Sequence, residues 1–101
     1  MILLHKEILS GTTVSGSLSI NTVNFRKGGL LSLVGVRPAT ASTQYDIKIV
    51  DEDSFTMYER TSETGELAEE VLLPIKGIYT ITISNATKDE LFDLILFLRE
   101  A

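Results

Sequence analysis

Two segments decide the fold: Tyr45-Asp46-Ile47-Lys48-Ile49-Val50 and Ile78-Tyr79-Thr80-Ile81-Thr82-Ile83-Ser84. In the first, Tyr45, Ile47 and Ile49 alternate with Asp46 and Lys48. In the second, Tyr79, Ile81 and Ile83 alternate with Thr80, Thr82 and Ser84. A period of two sends successive side chains to opposite faces of an extended chain, so each segment predicts a half-buried β-strand with its apolar face turned to a core. The β-branched and aromatic residues at those positions suit a pleated surface. Two strands of this kind point to antiparallel sheets, each with one side packed and one side wet.

Outward from these anchors the same grammar continues less regularly. Asp51 to Ser54 reads as a polar turn into a strand over 55–60, with Phe55 and Met57 inward and Thr56 and Tyr58 outward; with 45–50 it forms a hairpin. Thr61 to Glu70, polar and acidic around Gly65, reads as a surface loop. Val71-Leu72-Leu73 before Pro74 suits an edge strand, because proline cannot donate to a ladder. Leu18 and Ile20 differ in parity from Val23 and Phe25, which places a turn or bulge at Asn21-Thr22. Lys27-Gly28-Gly29 punctuates the chain before the apolar run Leu30 to Val36, a buried strand closed by Arg37-Pro38. Residues 2–9 form a strand with Ile2, Leu4 and Ile8 set against His5 and Glu7, although Leu3 and Leu9 spoil the face.

The segment 88–100 has two readings. As a helix, Thr87 caps it, Glu90 completes a capping box, and Leu91, Leu94, Ile95 and Leu98 form one stripe. As a strand, Phe92, Leu94, Leu96 and Leu98 line one face, with Asp93, Ile95, Phe97 and Arg99 on the other. The strand is preferred because everything upstream is β. The total is roughly eight strands at intervals of about 8–12 residues, the rhythm of a β-sandwich or jelly roll. The expected architecture is thus all-β, a single antiparallel β-sandwich domain over residues 1–101.

Composition narrows the function. A chain of 101 residues has room for one core, and about 65% of its extended surface could be buried on folding. Nine Lys+Arg against 14 Asp+Glu give a net charge of −5, opposite to the basic excess of a nucleic-acid binder. With no cysteine and one histidine, the chain has no thiol nucleophile, disulfide, Cys-type zinc site or histidine cluster. No apolar run approaches the roughly 20 residues of a membrane-spanning helix. Met1 to Glu7 lacks the basic segment and apolar core of a secretory leader, so synthesis in a cytoplasm is expected. At 44% hydrophobic residues and mean hydropathy +0.19, the chain is apolar for its size, which hints at self-association.

Individual candidates for chemistry are weak. His5 has no nucleophile or acid at a recognisable spacing. Asp51-Glu52-Asp53 lacks the ligand spacing of a calcium loop. Glu63, Glu66, Glu69 and Glu70 solvate the region around them, and Lys27-Gly28-Gly29 lacks the pattern of a phosphate loop. Asn85-Ala86-Thr87 matches a glycosylation acceptor but is read as turn chemistry. No catalytic residue, cofactor or metal is expected. A carbohydrate- or small-ligand-binding module is the alternative, with Tyr58 as its one outward aromatic ring.

Phe25-Arg-Lys-Gly-Gly-Leu, Tyr45-Asp-Ile-Lys-Ile-Val-Asp and Gly77-Ile-Tyr-Thr-Ile-Thr-Ile-Ser-Asn-Ala-Thr together resemble the strand pattern of small β-sandwich and jelly-roll virion accessory proteins of tailed phages, over residues 25–87. The resemblance implies a non-catalytic virion protein: a capsid-decorating, head-fibre or tail-associated subunit, made in the host cytoplasm. It also implies a homo-oligomer in contact with other structural proteins, with no nucleic acid and no membrane as partners. Leu3, Ile95 and Phe97, on the less core-like faces of the terminal segments, are the expected interface residues.

Overall fold

The computed structural model describes the backbone of residues 3–100 and the side chains of residues 5–99. Its strands are β1 (Leu3–Thr12), β2 (Leu18–Asn21), β3 (Phe25–Pro38), β4 (Gln44–Val50), β5 (Thr56–Thr64), β6 (Leu67–Gly77), β7 (Thr80–Ser84) and β8 (Leu91–Glu100). Four antiparallel pairings nest inside one another: β1 with β8, β2 with β7, β3 with β6 and β4 with β5. The chain is thus one long hairpin, folded back at the β4–β5 turn and rolled up. Pairing of β3 with β8 and of β4 with β7 completes two sheets, ordered β1-β8-β3-β6 and β2-β7-β4-β5. This is the jelly-roll form of a β-sandwich.

The inner faces follow the alternation of the sequence. Tyr45, Ile47, Ile49, Ile81 and Ile83 from one sheet meet Leu31, Val34, Val36, Phe92, Leu94, Leu96 and Leu98 from the other, all buried. Each fully buried side chain of this size contributes about 1.5–3 kcal/mol. Aromatic pairs join the sheets at both ends. Tyr45 meets Phe92 edge-on with centroids 5.4 Å apart, and Phe25 lies 6.3 Å from Tyr79. The segment 88–100 is a strand, with Phe92, Leu94, Leu96 and Leu98 on the core side as alternation predicts. Thr87 caps no helix: its hydroxyl accepts from the Gln44 amide, and its own amide donates to the Gln44 carbonyl.

Several local expectations are corrected. Thr61 to Glu70 is not a loop but the end of β5 and the start of β6, joined by a tight turn at Gly65-Glu66. Its polarity reflects position, because β5 and β6 are the outer strands of their sheets. Lys27-Gly28-Gly29 does not interrupt the chain; it lies within β3 as a bulge. The four steps from Phe25 to Gly29 lie against the two from Gly77 to Ile75, and Gly28 takes φ 74°.

The alternation of residues 55–60 is displaced by another bulge. Val50 pairs with Thr56 and Ile49 with Tyr58, so Met57 is the extra residue. Tyr58 therefore shares the inward face of Ile49 and is buried, whereas Phe55, expected inward, is 69% exposed. On β1 the register sets His5, Glu7 and Leu9 opposite Leu98, Leu96 and Leu94, so these three take the inner side and Ile8 the outer. The expectations for the side chains of Ile2, Leu3 and Leu4 lie outside the described residues.

Candidate assembly surface

The two sheets have matching parity rules but unlike outer faces. Across the β2-β7-β4-β5 sheet, one outward row runs Ser19, Thr82, Lys48, Glu59. Ser19 and Thr82 share a hydrogen bond of 3.2 Å, and the Thr80 hydroxyl donates to Asn21 Oδ1 at 2.9 Å. That face is made for water. Across the β1-β8-β3-β6 sheet the equivalent rows run Ile8, Ile95, Gly35, Ala68 and then Lys6, Phe97, Leu33, Glu70. Its middle is apolar.

Several features shape this face. Gly35 leaves a flat place beside Ile95, since a β-carbon there would sit 3.3 Å from the Ile95 β-carbon. The Lys6 ammonium stands 5.8 Å from the centroid of the Phe97 ring, so its stem lies along the patch while its charge stays wet. Leu72, 71% exposed beside a bulge in the β3–β6 pairing, joins Leu33 and Phe97 in a shallow groove. Ile8 is also exposed, at 51%. Apolar side chains thus gather in the middle of this face, rimmed by Lys6, Glu70 and Arg99, and such clusters on a surface mark candidate contact sites.

Of the residues expected at an interface, Ile95 and Phe97 fall side by side on this face, half-buried and 38% exposed respectively. Leu3 has its backbone in β1 opposite Glu100, and its side chain lies outside the described residues. Ile8, Leu33 and Leu72 were not singled out from the sequence. The two apolar faces of β8 were the available signal, because residues directly opposite an outward Ile95 or Phe97 on neighbouring strands must share its exposure.

The remaining candidates resolve into structural roles. Asp51 Oδ1 accepts from the amides of Asp53 and Phe55 at 2.9 and 2.8 Å, and Glu52 Oε1 accepts from the Ile78 amide at 2.8 Å. The acidic triplet thereby builds its own turn. Asn85 donates to Asp46 Oδ2 at 2.7 Å from a turn position at φ 52°. Among the described residues no group of three or more His, Cys, Asp or Glu side chains is placed to hold a metal ion. Nor is any helix long and apolar enough to cross a membrane.

Tyr58 offers no sugar platform. Its hydroxyl donates to Glu69 Oε1 at 2.6 Å, Arg60 donates to Glu69 Oε2 at 2.6 Å, and the Arg60 guanidinium stands 4.9 Å from the centroid of the Tyr58 ring. Burial first, and then the Glu69 carboxylate, push the Tyr58 phenol up, while Arg60 and Tyr58 hold Glu69 below the usual carboxylate range. Burial likewise pushes the Tyr45 phenol up to about 12, and its hydroxyl donates to the Gly65 carbonyl at 2.7 Å. Between the sheets, a void lined by Phe25, Leu31, Met57 and Leu73 among others measures about 10 Å³. That is room for roughly one water, with no polar lining to hold it.

Neither a protein-family model nor a curated protein sequence matches the chain. Its fold is similar to that of a chain from Bacillus endospore appendages, a novel family of disulfide-linked pili. The TM-score is 0.65 at 14% identity, over 99% of this chain and 88% of that one. Lower scores relate it to dimeric latent PorU from Porphyromonas gingivalis (TM-score 0.46, 9% identity, 96% of this chain and 13% of that one). They relate it also to infectious bursal disease virus, Gt strain (TM-score 0.41, 10% identity, 98% of this chain and 32% of that one).

Proposed function

We propose that this chain is a non-catalytic structural subunit of a virion or surface appendage, assembled from copies of itself through the outer face of the β1-β8-β3-β6 sheet. The contrast between the two outer faces carries the proposal. One fold presents Ser, Thr, Lys and Glu on one side and Ile8, Ile95, Phe97, Leu33 and Leu72 on the other. Covering the second face removes apolar surface from water at about 25 cal/mol per Å², the driving force of most subunit association. The fold likeness to a pilus chain supports the reading. The mode of linkage must differ, since a cysteine-free chain forms no disulfides and non-covalent contacts have to hold its neighbours.

The virion form of the proposal, a capsid-decorating, head-fibre or tail-associated subunit, rests on the strand-pattern resemblance over residues 25–87. Its test is whether the purified protein binds particles that lack it. The assembly itself is tested by Ile95→Asp and Phe97→Ser, which place polar groups in the middle of the patch without touching the core row Phe92, Leu94, Leu96, Leu98. Wild-type protein is expected to sediment as an oligomer, and both variants as folded, smaller species that have lost the sheet-face contact. Unchanged oligomers in both variants would overturn the proposal.

A further inference from the structure

A second surface lies at one end of the sandwich and adjoins the apolar sheet face at Arg99. Gly11 packs against Leu18 and Ile20, where an added β-carbon would meet their methyls at 2.8 and 3.1 Å. The four residues of β2 therefore cover the far end of β1 and stop short of His5. Around His5 and its partner Leu98 the mouth stays open as a cleft of about 280 Å³. Phe25 and Leu98 contribute an apolar floor, and Arg26, Lys27 and Arg99 contribute a cationic rim beside the His5 imidazole. The bulge at Gly28 gives β3 the extra length that brings Arg26 and Lys27 there.

This rim holds three of the chain's nine Lys and Arg residues, on a protein of net charge −5. Among the described residues, Arg26, Lys27 and Arg99 form no ion pair, and Glu7 stands 3.7 Å from His5; the backbone of Glu100 pairs with that of Gly29 at the cleft. The chain has thus concentrated positive charge, over apolar side chains, in one concave place.

The same end carries the complementary shape. Phe25 pairs with Gly77, Thr22 bonds to Tyr79 and Val50 pairs with Thr56, so the start of β3 and the β4–β5 turn share one end of the sandwich. That turn, Asp51-Glu52-Asp53-Ser54-Phe55, exposes Asp53 and extends Phe55 into solvent. It is held in shape by the Asp51 and Glu52 hydrogen bonds, so docking it costs little ordering entropy.

We infer that a second copy of this chain inserts its Asp51–Phe55 turn into the cleft, with Phe55 on the Phe25–Leu98 floor and Asp53 against Arg26 and Lys27. Because turn and cleft belong to the same end, two copies related by a two-fold axis make both contacts at once, in an end-to-end dimer. The inference rests on the self-assembly reading but uses a different surface. With both surfaces occupied, the subunits extend into an open array.

The test is charge exchange, in an Ile95→Asp background that removes the sheet-face contact. Analytical ultracentrifugation should show a salt-sensitive dimer. Asp53→Lys alone, or Arg26→Glu with Lys27→Glu, should weaken it by about tenfold or more, because each variant then repels itself. Mixing the two should restore the dimer, since each reversed cleft meets a reversed turn. All of these residues are exposed, and circular dichroism confirms the fold of each variant. A dimer indifferent to both reversals, a mixture that stays monomeric, or a monomeric Ile95→Asp parent overturns the end-to-end dimer while leaving the sheet-face proposal standing. Wild-type protein that is monomeric at every concentration overturns both.

Discussion

Gly65 sits where three segments meet. Its φ of 69° is left-handed, its amide donates to the Thr43 carbonyl at 2.9 Å, and its carbonyl accepts from the buried Tyr45 hydroxyl. A β-carbon there would lie 2.5 Å from the Ala41 carbonyl oxygen, so the turn between β5 and β6 admits only glycine without moving a neighbouring loop. Gly65→Ala is expected to destabilise the fold by about 1–3 kcal/mol, the cost of left-handed strain joined to a steric clash. Urea unfolding checks it, and a midpoint equal to that of wild type would contradict the role given to this glycine. At this scale much of the core was legible from sequence, because Tyr45, Ile47, Ile49, Ile81 and Ile83 declare themselves by alternation. Tyr58 was not, since the bulge at Met57 that turns it inward is set by pairing with β4 and leaves no local mark.

Between elements, carboxylates do much of the tying. Asp46 on β4 accepts from the Ser62 amide at 2.8 Å and from Asn85; Glu69 on β6 binds Arg60 and Tyr58 of β5; Glu90, at the entry to β8, accepts from the Thr43 hydroxyl ahead of β4. These partners hold each acid below its ordinary value, 3.8 for Asp46 and 4.5 for Glu69 and Glu90. Depressed folded-state values mean that the stabilisation is present above the ordinary values and is lost as pH falls through the depressed ones. The thermal midpoint should be level from about pH 8 to 6 and drop below about pH 4.5, with a shallower drop in Asp46→Asn. A midpoint that rises steadily on acidification to about pH 3 would contradict these ties.

The same bonds explain why the stretch around Gly65 was misread from sequence. Thr61, Glu63, Glu66, Glu69 and Glu70 look like loop composition, yet outer strands of a sandwich are wet and carry such residues as a matter of course. Segment 88–100 was easier, because β8 pairs on both sides and packs inward. Only a strand gives both Phe92 and Phe97 a face.

Taken whole, the molecule extends about 41 × 25 × 19 Å and presents one polar broad face, one broad face with an apolar middle, and an end with opposed charges. The apolar composition of the chain announced a surface needing cover, and the outward residues of β8 said where part of it lies. The cationic cleft gave no such sign. His5 and Arg99 lie at opposite ends of the sequence from each other and well away from Lys27, and only the closing of β1 on β8 beside the start of β3 gathers them.

The central claim is that this surface is covered by copies of the same chain. Light scattering coupled to size exclusion, over a wide range of loading concentration, measures it directly. The account predicts a mass above the 11.1 kDa of one chain that grows with concentration and is smaller in Ile95→Asp at the same loading. A constant 11.1 kDa at every concentration would contradict it.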